Sequence, residues 1–276
     1  MSEIENRVAE AATPPADNVP LPPPPPSPPR DEGPRMSALE TLSGIFFEPG
    51  RTFEALRARP RVLVAALVMT FFTLLYTVVL LQKVPYEEMV RESVMNSPAT
   101  AEMSQEQKDQ AIEMRSKPIF KYISYLSPLI GMAIYVALGG ALYLLGSLAA
   151  GKGISYPQAA SVWTYSSLPP LVLVMIANII IAFLRPPDPS QAEQAMRGMV
   201  KANPSAFIDG AANPVLATAV GSIDLFAIIG LVLASIGLRK VARMSSGSAW
   251  AVVLAFFLLG LVFKIAAAAI LKTPMA

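Results

Sequence analysis

The sequence predicts an all-α membrane protein, a five-transmembrane-helix bundle preceded by a disordered Pro-rich N-terminal tail. Three observations predict it. Hydrophobic residues make up 53% of the 276-residue chain and charged residues 15%, against roughly 25% charged in soluble domains. Several apolar runs approach the roughly 20 residues a helix needs to cross a bilayer. An open sheet at that depth would leave its backbone groups unsatisfied, which excludes it.

Composition also removes whole classes of chemistry. Cysteine and histidine are absent, so there are no disulfides, thiolate nucleophiles, Cys/His metal sites or imidazole acid–base groups. A net charge of +2 gives no basic field for nucleic acid. No catalytic residue, cofactor or metal ligand is assigned. The chain opens on Glu3 and Glu5, which does not read as a signal peptide.

Residues 1–36 hold the tract Val19–Arg30, VPLPPPPPSPPR. Proline removes amide donors and fixes φ, so the tract reads as extended polyproline II: a solvated tail, or a docking site for a proline-reading domain. Residues 37–60 form a juxtamembrane hairpin. Leu39, Leu42, Ile45 and Phe46 share one helical face, Pro49-Gly50 breaks the helix, and Phe53 and Leu56 repeat the pattern. Such a hairpin lies on the membrane surface with its arginines near lipid phosphates, or serves as a plain cytosolic anchor.

The transmembrane domain covers residues 61–276, with spans near 62–81, 127–150, 160–184, 217–238 and 250–271. After the first span, Ser104 and Gln107 fit a capping box, which predicts a short helix to about Ser116 and, with it, two short outer helices. The second span carries Ala133, Ala137 and Ala141 at every fourth position, with Gly139, Gly140 and Gly146 nearby. Small residues at this spacing predict close helix packing. Ser155 and Gln158 fit a second capping box at the third span, and Pro169-Pro170 predicts a break or sharp kink, with Asn178 beyond it. Asp188-Pro189 predicts a short outer helix over roughly 189–202, and Asn213-Pro214 starts the fourth span as early as Pro214.

The fourth and fifth spans each hold one ionisable residue, Asp224 and Lys264. Asp224 lies 14 residues before Leu238 and Lys264 lies 14 residues after Trp250, so both stand roughly 21 Å from one membrane face. Matched depth on neighbouring helices predicts an intramembrane polar pair, with Gly260 and Gly221 allowing close approach. The rival readings are that Lys264 snorkels to the surface and that Asp224 is protonated.

Orientation follows from short flanks. Arg51, Arg57, Arg59, Arg61, Lys152, Arg239, Lys240 and Arg243 fall on one side if there are five spans, which places the N-terminus in the cytoplasm and the C-terminus outside.

Three stretches then carry a family likeness: FFEPGRTFEALRARP before the first span, GISYPQAASVWTYSSLPPLV into the third, and DLFAIIGLVLASIGLRKVARMSSGSAW across the fourth and into the fifth. Together, over roughly Gly44–Leu271, they resemble the Yip1 domain family in its bacterial form. The resemblance implies a five-span protein with a cytosolic N-terminus, here in the inner (cell) membrane of a bacterium. The aspartate that opens the family's fourth span matches Asp224; the tryptophan often found a few residues later is replaced by isoleucine at Ile228 or Ile229. Eukaryotic members are associated with Rab GTPases and vesicle traffic, but their polar motifs in the first two spans have no counterpart here. The resemblance therefore implies architecture rather than GTPase binding.

Three function classes remain. The first is a non-enzymatic membrane scaffold or membrane-organising protein, partnered by the lipid bilayer and by another protein or a second copy through its transmembrane faces. The second is a small permease or ion-coupled transporter using Asp224 and Lys264, with Asn178 and the Pro169-Pro170 break. The third is an enzyme, for which no acid–base pair or nucleophile spacing emerges.

Overall fold

The computed structural model describes residues 34–97, 100–185, 195, 198–200, 202–210 and 212–275. The Pro-rich tract and most of the helix expected over 189–202 lie outside the described residues. All regular structure among the described residues is helical.

The hairpin forms as two helices, α1 (Ala38–Phe47) and α2 (Pro49–Ala58). Ser37 caps α1: its hydroxyl accepts from the Glu40 amide at 3.2 Å, and the Glu40 carboxylate accepts from the Ser37 amide at 2.5 Å. The bond from the Ser37 amide first, then the Ser37 hydroxyl beside the carboxylate, holds the Glu40 carboxyl below its ordinary pKa. Pro49 takes the first helical position of α2, where its missing N–H costs nothing.

The first span is α3 (Val62–Lys83). It is followed by the two expected short helices, α4 (Tyr86–Asn96) and α5 (Gln105–Arg115), the latter started by the Ser104–Gln107 box and ended at Ser116. The second span, α6 (Pro118–Ala149), is longer than the sequence indicated because Pro118 sits in its first turn and the helix passes through Pro128. At 32 residues it is about 48 Å long, well over the roughly 30 Å hydrocarbon core.

The third span, α7 (Tyr156–Leu184), runs as one helix through Pro169 and Pro170, so of the expected break or sharp kink no break occurs. Each proline removes a single amide. A Cβ on Gly230 of the fourth span would stand 3.7 Å from Pro170 Cγ and 3.8 Å from the Ser166 carbonyl oxygen. A neighbouring backbone thus packs directly over a carbonyl that proline has freed.

The break falls in the fourth span instead. It comprises α8 (Pro214–Gly221) and α9 (Leu225–Val241), bent by 47° across Ser222–Asp224. The span expected near 217–238 is thus a bent pair of helices. Gly221 is a poor helix interior residue and Asp224 a strong N-cap, so local preference favours ending one helix and starting another. The fifth span is α10 (Ser246–Leu271), capped by Ser245. Among the described residues, four continuous helices are long and apolar enough to span, or five spans if the bent pair counts as one.

α7 is the axis of the bundle, packed against α3, α6 and α9. The main core gathers Phe53, Leu56, Met69, Tyr143, Val162, Tyr165, Leu168 and Leu238. A second core at the opposite end unites Tyr76, Leu80, Val84, Met89 and Ala195. α10 is peripheral, with 11% of its apolar stretch buried against 33% for α7.

Candidate functional site

The hairpin is fixed to the bundle by buried apolar contact and by polar bonds at the same membrane level. Phe53 and Leu56 are fully buried, and Phe53 lies over Gly237 of α9, where a Cβ would stand 3.0 Å from its ring. Gln158, in the first turn of α7, accepts from the Ser155 amide at 2.9 Å and donates to the Arg57 carbonyl at 2.8 Å. Lys240 pairs with Glu54 at 2.6 Å. Both groups of that pair are more than a third exposed, so it sets register more than stability, at about 0–1 kcal/mol. Thr41 and Tyr165 share a buried hydrogen bond of 3.2 Å.

The hairpin's other face stays open. Leu39 is 78% and Phe47 84% exposed, and Phe46 is exposed beside them. Of the residues the sequence placed on one apolar face, Ile45, Phe53 and Leu56 go to protein while Leu39 and Phe46 remain free for lipid.

Asp224 stands at the bend. Its carboxylate accepts from the Phe226 amide at 2.7 Å, as an N-cap, and from the Asn203 side-chain amide at 3.4 Å. The backbone there also joins the outer segment, with the Leu225 amide donating to Ala202. Lys264 is exposed on α10. No ion pair joins the two residues in this structure: Asp224 opens a helix rather than sitting within one, and its carboxylate accepts from a backbone amide and a side-chain amide. Lys264 is seven residues from Leu271, about 10 Å along the axis, within the range its stem partly covers.

Asn178 is buried, and its oxygen accepts from the Met199 and Val200 amides at 2.6 and 2.9 Å. It anchors the outer segment to α7 and lies on the same helix as Pro169 and Pro170, which the structure does not join to it as a polar site.

Within this chain the alanine face stays largely open. Ala133 and Ala137 are exposed and Ala141 is half-buried. The close contacts run through the nearby glycines. A Cβ on Gly139 would stand 1.9 Å from the Trp163 ring, one on Gly140 2.8 Å from Ala160, and one on Gly146 2.4 Å from Val252. Gly260 meets nothing within 4 Å, because α10 turns that face outward. Trp163, which the sequence did not single out, fills the α6–α7 seam between Tyr135 and Tyr143, with ring centroids 5.1 and 5.0 Å away. The signal for it was the Gly139-Gly140 pair, which leaves room for a large ring opposite.

A helical membrane protein with up to five spans and a docked juxtamembrane hairpin is the class these features define. The Yip1 domain model matches residues 43–268, most of the chain, and the chain belongs to that family. No curated protein and no solved structure matches it.

Proposed function

We propose that this chain is a non-enzymatic membrane-organising scaffold, seated in the bacterial cell membrane with its N-terminus in the cytoplasm. The hairpin carries the reading. One face is locked to α7 and α9 through Phe53, Leu56, Gln158 and Lys240, while Leu39, Phe46 and Phe47 project outward. A wedge fixed rigidly to a transmembrane bundle inserts apolar side chains at the headgroup level of one leaflet only. The exposed flanks of α6 and α10, with Ala133, Ala137 and Gly260, offer surfaces for a partner protein or a second copy.

The full chain reconstituted into mixed vesicles tests this. The scaffold reading expects enrichment in small, highly curved vesicles over large ones, and loss of that enrichment in a Leu39→Ser, Phe47→Ser double variant. Equal partitioning of the wild-type chain overturns it.

A permease or ion-coupled transporter is the second reading, favoured by the 47° bend at Ser222–Asp224. Discontinuous helices of this kind hold substrate sites in transporters, usually as matching pairs. Ion or solute flux in the same vesicles, abolished by Asp224→Asn, would support it over the scaffold.

A further inference from the structure

At the end of the bundle opposite the hairpin, a cavity of about 540 Å³ lies between α3, α4 and the α5–α6 joint. That volume falls within the roughly 300–1,000 Å³ of small-molecule sites. Its wall is apolar in effect. Leu80, Leu81, Met89, Val90 and Phe120 contribute hydrocarbon directly. The Thr73, Thr77, Ser124 and Ser127 hydroxyls donate back to their own helix carbonyls at 2.9–3.0 Å, so those side chains present little polarity to the space.

Among the described residues, one charge lines the cavity: Arg115, at the end of α5. It is exposed, and no acceptor among the described residues engages its guanidinium. The adjoining Ser116 hydroxyl is buried without a partner. Arg115, Ile123 and Ser127 are the exposed members of the lining, which places the mouth along the first turns of α6. Two features set its depth. The lining residues of α3 belong to that helix's second half, and α6 is longer than the hydrocarbon core requires. The apolar part therefore lies within the bilayer and Arg115 near its headgroups. Outside the mouth, Ile119, Leu126 and Ile130 form an exposed apolar ridge on α6, with Lys117 and Lys121 exposed at its start.

We propose that this cavity binds an anionic phospholipid. One acyl chain occupies the cavity, the phosphate meets Arg115, and the second chain stays in the bilayer along the Ile119–Ile130 ridge. A cation with no acceptor among the described residues, above an apolar hollow, matches the head and tail of such a lipid, and the outer ridge accounts for two chains rather than one.

The test is native mass spectrometry of the full chain in detergent, with phosphatidylglycerol, phosphatidylcholine of the same chains, and a free fatty acid. Phosphatidylglycerol should be retained over phosphatidylcholine, with that preference falling about fivefold in Arg115→Gln and retention of both lipids falling in Thr77→Phe, which fills the cavity. Arg115 is exposed, so its variant keeps the fold, and it alone decides if Thr77→Phe does not. Equal retention of the two phospholipids by the wild type, or no change in Arg115→Gln, overturns the proposal. Displacement of phosphatidylglycerol by the free fatty acid also overturns it, by removing the need for a two-chain lipid.

Discussion

The ring of Phe53 lies against Gly237: a Cβ added there would stand 3.0 Å from Phe53 and 2.6 Å from Val162. One glycine thus lets the juxtamembrane hairpin and the central helix both reach α9. Gly237→Leu should destabilise the fold by about 1–3 kcal/mol and release the hairpin. Thermal unfolding in detergent, together with faster proteolysis after Arg59, reads this out. An unchanged melting temperature would show that the hairpin is not docked as described.

The same logic separates two faces of α6. Gly140→Leu meets Ala160 and should cost about 1–3 kcal/mol. Ala137→Leu, on the exposed face, should leave monomer stability unchanged. If a second copy packs on that face, Ala137→Leu should instead shift the protein to monomer in cross-linking or analytical ultracentrifugation.

Asp224 should behave as a cap. Asp224→Ala should cost about 1 kcal/mol and Asp224→Asn only a few tenths, since asparagine also caps. Lys264→Met should be near neutral. In a double-mutant cycle of Asp224→Asn and Lys264→Met the effects should add within about 0.5 kcal/mol. A larger coupling, with either single change costing more than both, would restore the ion pair.

Topology is a direct consequence of counting the bent pair as one span. Reporter fusions after Arg243 and at Ala276 should report opposite sides, with Arg243 in the cytoplasm. Opposite sides with Arg243 outside would mean that α8 and α9 form a re-entrant element instead, and the same side at both points would mean that α10 does not cross.

Local chemistry is what the sequence carried well. The Ser104–Gln107 and Ser155–Gln158 boxes, the helix break at Pro49 and the Pro214 start each depend on residues within one turn, and each stands where the pattern put it. The apolar runs fixed the spans because the roughly 30 Å bilayer core sets their length, and the stretches around the hairpin and the third to fifth spans carried the family. Tertiary structure decided which face of a span meets protein. Lipid and protein interior are equally apolar, so hydropathy cannot tell Ala137 from Gly140; only the placement of Trp163 and Ala160 does. It also decided where a span breaks. Pro169-Pro170 stays within one helix, with Gly230 of α9 packed beside the freed Ser166 carbonyl, while Asp224 opens a helix because Asn203, 21 residues earlier, and the Phe226 amide both claim its carboxylate.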